Sequence, residues 1–208
     1  MSVLRIAIFD YGAGNLYSLK AALERNPGTK VSIVDNLKNI VDYDGLVLPG
    51  VGNFDPAITS IGQDRELFIK AVEDKTPILG ICLGMEMLFN KSEEGKLNGL
   101  SILDGEVIML NRKLTKIPHM GWNTLKLEKN GGNLLKGIPN NSWVYFVHSY
   151  RISPTNESVV IANSEYGITI PAAIEINNLF GTQFHPEKSG KTGAIILKNF
   201  LGACRERA

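Results

Sequence analysis

The sequence predicts an α/β fold: a mixed, centrally parallel sheet with helices on both faces. Three observations predict it. In the first half of the chain, apolar runs typical of strands buried on both faces alternate with segments of helical spacing. Beyond Gly99, short strands follow one another across Gly- and Asn-rich turns such as Asn130-Gly131-Gly132-Asn133. A helical segment, Thr192 to Leu201, closes the chain. Alternation of the first kind builds βα units around a parallel sheet, and the later strands add an antiparallel side.

The elements follow in order. Leu4–Phe9 is the first buried strand. Asn15 is a plausible N-cap, with Leu16, Leu19, Ala22 and Leu23 at helical spacing and Asn26-Pro27-Gly28 as the stop. Val31–Val34 and Leu46–Leu48 are the next strands, and Ile58 to Val72 contains helical turns broken around Gly62. Ile78–Cys82 is another buried strand, and Met85 to Phe89 begins a helix. Glu106–Leu110, Asn123–Leu127, Val144–Tyr150, Val159–Ala162, Ala172–Ile176 and Leu179–Phe184 are the later strands.

Composition narrows the class of protein. The chain has 208 residues, and a single domain spanning 1–208 is expected. No apolar run is long enough to cross a bilayer, and Met1–Arg5 lacks the regions of a secretory leader. Twenty-two basic against 21 acidic residues leave a net charge of +1, which points to neither nucleic acid nor a membrane as partner. Two cysteines, Cys82 and Cys204, exclude a disulfide framework and fit a reducing cytoplasm. The three histidines, without a Cys-x-x-Cys pair, give no zinc spacing, so no metal or other cofactor is expected.

Gly80-Ile81-Cys82-Leu83-Gly84 matches a nucleophile elbow with cysteine in place of serine. A nucleophile between a buried strand and a helix sits in a sharp turn whose flanking residues must be small. The helix N-terminus beside it is expected to favour thiolate. A buried core cysteine beside packing glycines is the plain alternative, and Cys204 keeps that reading.

A thiolate nucleophile needs a proton shuttle. His185 and Glu187 are two residues apart in an extended segment and point the same way, while Pro186 disfavours helix at His185. The carboxylate can hold one imidazole nitrogen while the other faces the sulfur. His148, in an aromatic strand, and His119 are rivals that bring no adjacent carboxylate. Pro49-Gly50-Val51-Gly52-Asn53 follows the third strand. Its glycines let backbone N–H groups of Gly50, Val51 and Gly52 approach a ligand as an oxyanion site, with the Leu83 N–H as a further donor. A common glycine-rich turn is the plain alternative there.

Together these residues resemble the triad (class I) glutamine amidotransferases, whose fold is flavodoxin-like. Within that family they resemble the glutaminase subunits that serve a cyclase of histidine biosynthesis. The motifs that carry the resemblance are Asp10–Leu16, Pro49–Gly52, Gly80–Gly84, Pro118–Asn123, Phe146–Tyr150 and Gln183–Ser189. The resemblance implies a Cys82–His185–Glu187 triad that releases ammonia from glutamine through a glutamyl thioester. It implies a heterodimer with a (β/α)8-barrel cyclase, where ammonia enters imidazole glycerol phosphate and an aminoimidazole carboxamide ribotide leaves. It places Asn15, Trp122, Tyr145 and Lys188 towards the partner interface and the ammonia passage. From the residues alone, Trp122 and Tyr145 read equally as core aromatics and Lys188 as a solvated charge. One position departs from the pattern: Glu86 stands where the family usually carries a substrate-holding glutamine.

Three rival functions share some of these features. Paralogues of the same subunit feed ammonia to sugar-modifying enzymes of surface polysaccharide synthesis. A dinucleotide-binding oxidoreductase would use Gly12-Ala13-Gly14 and Asp35, but Tyr17 stands where its third glycine belongs. An inactive binding module is the third, with Glu86 as its only support.

Overall fold

The structure, a computed structural model, describes residues 3–12, 16–50, 52–128 and 132–207; Asn15 and Val51 lie outside the described residues. The strands are β1 (Leu4–Phe9), β2 (Thr29–Val34), β3 (Gly45–Leu48), β4 (Ile78–Ile81), β5 (Lys91–Ser92), β6 (Gly105–Met109) and β7 (His119–Thr124). They continue with β8 (Lys126–Leu127), β9 (Trp143–His148), β10 (Tyr150–Pro154), β11 (Val160–Glu165), β12 (Thr169–Ile176) and β13 (Leu179–Thr182). The helices are α1 (Leu16–Glu24), α2 (Phe54–Gly62), α3 (Arg65–Glu73), α4 (Leu83–Glu86) and α5 (Gly190–Arg207).

Eight strands form the main sheet in the order β2-β1-β3-β4-β13-β12-β11-β8. The first five are mutually parallel, and β12, β11 and β8 continue antiparallel. The last strand in sequence, β13, thus lies in the middle of the sheet. Alternation along β1 explains the helices on both faces. Leu4, Ile6 and Ile8 pack with α1 and α5 through Leu19, Leu23, Leu197 and Phe200. Ala7 and Phe9 face the other way, against Phe54, Ile58 and Phe68 of α2 and α3.

Two departures from the sequence reading matter to the site. The helix expected over Met85 to Phe89 is a single turn, Leu83–Glu86. Strands expected to extend one sheet instead build two smaller ones, β10-β6-β5 and the antiparallel ribbon β7-β9. β7 begins at His119, ahead of the expected Asn123, because Gly121 at φ +129° carries the strand through what reads as a turn. The ribbon pairs Trp122 with Tyr145 and His119 with His148.

Candidate active site

Cys82 follows β4 with φ 46° and ψ −107°, the left-handed backbone of a strand-to-helix elbow. The glycines around it are sterically required. A Cβ on Gly80 would meet the Met85 nitrogen at 2.6 Å, and one on Gly84 would meet the Leu48 carbonyl oxygen at 2.1 Å. The elbow is locked to β13 by the Cys82 N–H, which donates to the Thr182 carbonyl at 2.6 Å.

His185 follows β13, next to β4 in the sheet, so topology brings together residues far apart in sequence. His185 Nδ1 lies 2.8 Å from Glu187 Oε1, while Nε2 is buried and without a hydrogen-bond partner. Since an ionised carboxylate only accepts, Nδ1 donates this bond, and Nε2 points into the site without a partner. Gly50 lies between Cys82 and His185: a Cβ there would meet Cys82 Cβ and His185 Cε1, each at 3.0 Å. The three expected triad residues therefore converge, with the glycine turn after β3 wedged against them.

The ribbon holds His185 in place. The His185 N–H donates to the Tyr145 carbonyl at 2.9 Å, and the Tyr145 N–H donates to Ser189 Oγ at 3.0 Å. Ser189 Oγ in turn donates to the His185 carbonyl at 2.6 Å. The rival histidines serve the ribbon instead. His119 Nδ1 is 2.9 Å from His148 Nε2, and His148 Nδ1 is 2.6 Å from the Tyr150 carbonyl oxygen. Burial pushes their pKa values down to about 4 for His119 and about 3 for His148, so both stay neutral.

The sulfur is poised differently from the sequence expectation. Burial pushes the Cys82 thiol well above its usual range, and the nearby Glu86 carboxylate raises it further. The Leu83 N–H and Gln183 act in the opposite sense but do not outweigh burial. The helix that begins beside the sulfur, α4, is only four residues long. The thiol donates to the Val147 carbonyl at 3.8 Å and accepts from Gln183 Nε2 at 3.7 Å. The same Gln183 Nε2 donates to Glu86 Oε1 at 3.0 Å.

A cavity of about 310 Å³ opens over Cys82, lined among others by Gly50, Gly52, Glu86, Glu94 and Tyr150. Its described lining includes no Lys or Arg. Larger cavities elsewhere do not reach Cys82. Trp122 is 54 % exposed on the outer face of the ribbon, 5.9 Å from the half-buried Tyr145 ring. Lys188 is exposed. Tyr11, Gln183 and Ser189 escaped the sequence reading as site residues. All three lie in or beside motifs that pointed to the site, but their roles rest on tertiary contacts.

An elbow cysteine, a histidine–glutamate pair and a glycine turn thus lie together at the carboxyl ends of parallel strands, where ligands bind in open α/β sheets. Residues 7–204 match the glutamine amidotransferase class-I family, and the chain belongs to that family. More narrowly, it is 46 % identical over 197 residues to the imidazole glycerol phosphate synthase subunit HisH of Methanocaldococcus jannaschii, covering 94 % of this chain and 98 % of the relative. The HisH subunit of Synechococcus sp. is likewise 46 % identical, covering 97 % of this chain and 94 % of its own. Among solved structures, the PurLQS structure from Thermotoga maritima superposes with a TM-score of 0.75 at 21 % identity, covering 97 % and 99 % of the two chains. The glutaminase domain of Trypanosoma brucei CTPS, solved with bound acivicin, gives 0.72 at 17 % identity, covering 98 % and 94 %. These two establish the fold.

Proposed function

We propose that the chain is the glutaminase subunit of imidazole glycerol phosphate synthase, hydrolysing glutamine and passing ammonia to a cyclase partner in histidine biosynthesis. The observation that carries this reading is the convergence of Cys82 with the Glu187-oriented His185 around the Gly50 turn. Identity of 46 % to HisH subunits over nearly the whole chain favours the histidine pathway over the sugar-modifying one.

Cys82 attacks the side-chain amide carbon of glutamine while its proton moves to His185 Nε2. Glu187 stabilises the resulting imidazolium through Nδ1. The Gly50–Gly52 turn and the Leu83 N–H receive the oxyanion. His185 returns the proton to the departing amine, giving ammonia and a glutamyl thioester, and a water activated by the same imidazole releases glutamate. Glu86, with Glu94 beside it, is placed to accept from the substrate ammonium group. No step calls for a metal or cofactor.

The outer face of the β7–β9 ribbon, with Trp122 and Tyr145, and the exposed Lys188 are our assignment for the (β/α)8-barrel cyclase interface and ammonia passage. Support comes from backbone wiring: the Tyr145 main chain grips the His185 loop, and the Val147 carbonyl touches the Cys82 thiol. A partner pressing on the ribbon therefore bears on both nucleophile and base.

The test is glutamate release by the purified chain alone and with the cyclase and its ribotide ligand. Stimulation that vanishes in Cys82→Ala is expected. Thioester formation without any response to the cyclase would move the chain to another acceptor, and no thioester at all would remove the triad assignment.

A further inference from the structure

Tyr11 has no part in the chemistry above, yet it is built into the site. It lies just beyond β1, is 8 % exposed, and its ring tilts against Phe9 with centroids 5.9 Å apart. Its hydroxyl donates a buried hydrogen bond to the Pro49 carbonyl, just beyond β3. β1 and β3 are sheet neighbours, with Ile8 opposite Val47, so this bond ties the carboxyl ends of two strands together.

Pro49 is the residue before the glycine turn. At Gly50 there is no space between backbone and chemistry: a Cβ would meet the Ile81 carbonyl at 2.8 Å as well as Cys82 and His185. The residue that follows Pro49 is thus packed directly against both Cys82 and His185. Burial, together with the nearby Cys82 and Asp10, holds the Tyr11 phenol well above its usual pKa, so it remains a neutral donor.

We propose that Tyr11 is a positioning residue for the oxyanion turn: its hydroxyl anchors the Pro49 carbonyl and thereby fixes the Gly50 backbone against the bound amide. This rests on the glutaminase reading and adds a residue to its machinery. The role has a specific signature. Hydrolysis passes through tetrahedral oxyanions in both acylation and deacylation, whereas alkylation of the thiolate by iodoacetamide forms no oxyanion. A residue that places oxyanion donors must affect the first reaction and leave the second alone.

The experiment compares wild type with Tyr11→Phe, which keeps the ring and removes only the hydroxyl, in the full chain bound to its cyclase. Deleting an oxyanion donor typically costs about 10²–10³ in rate, and a displaced donor costs less. The expected result is a kcat for glutamate release lowered about tenfold, with KM for glutamine and the iodoacetamide rate at Cys82 unchanged. Equal losses in hydrolysis and alkylation would overturn the proposal, because Tyr11 would then act on the thiol. A lower melting temperature with unchanged kcat would also overturn it, leaving Tyr11 a packing residue. If the wild-type complex alkylates at Cys82 but releases no glutamate, the glutaminase reading fails first and takes this proposal with it.

Discussion

Glu86 stands four residues after Cys82, 3 % exposed, with the Gln183 side chain bridging it to the Cys82 sulfur. Burial raises its pKa from 4.5 to about 7, against the opposing Gln183 hydrogen bond and with a further upward contribution from Glu94. The fold thus favours the protonated carboxyl. Its contribution to stability is fully present below pH 4.5 and is lost as pH rises through about 7. Glu86→Gln removes that loss. The melting-temperature advantage of Glu86→Gln over wild type is expected to open between pH 4.5 and about 7 and stay constant above, as a pH series of thermal melts would read. The same charge opposes ionisation of the thiol, so iodoacetamide should label Cys82 faster in Glu86→Gln than in wild type at pH above about 7. An unchanged alkylation profile would mean that Glu86 is screened from the sulfur.

At the scale of elements, the β7–β9 ribbon does two jobs on two faces. Val144, Phe146, His119 and His148 point inward and are buried. Met120, Trp122 and Trp143 are 54–61 % exposed on the other face. If that face receives the cyclase, Trp122→Ala should weaken the complex by about 2 kcal/mol or more, the scale of a buried aromatic anchor. The melting temperature of the free chain should scarcely move, since an exposed side chain contributes within about 0.5 kcal/mol. Titration calorimetry against the cyclase reads the first and a thermal melt the second. The ribbon was also the least legible part of the sequence. The elbow and His185-Pro186-Glu187 were readable because each is a local pattern with a local steric reason. The pairing of His119–Thr124 with Trp143–His148 is not local: Pro118 and Gly121 look like punctuation, and only the partner strand makes them part of a ribbon. Tyr11 and Gln183 were illegible as site residues for the same reason, their partners Pro49 and Glu86 being supplied by other segments. The one-turn α4 falls short of the expected helix because apolar Met85, Met87, Leu88 and Phe89 suit a buried turn as well as a helix.

Across the whole molecule, the parallel half of the sheet is held between two helical layers, and α5 covers much of one of them. Phe200 is fully buried, with its ring 6.0 Å from that of Phe180 on β13. Phe200→Ala is expected to cost about 3–5 kcal/mol, a large share of a total stability of about 5–15 kcal/mol. Because the substitution lies away from Cys82, His185 and Glu187, kcat in the surviving complex should hold at low temperature while the melting temperature falls by about 10 °C. A fall in kcat at temperatures where the variant is folded would show that α5 does more than pack.

β13 is the last strand of the chain and lies between β4 and β12. While the protein is being synthesised, β2, β1, β3 and β4 can pair as they emerge, but β4 keeps an open edge until the final stretch arrives. That stretch leads directly into His185 and Glu187. A nascent or truncated chain therefore displays its thiol without His185 and Glu187 beside it, and closing the sheet is what brings the three together.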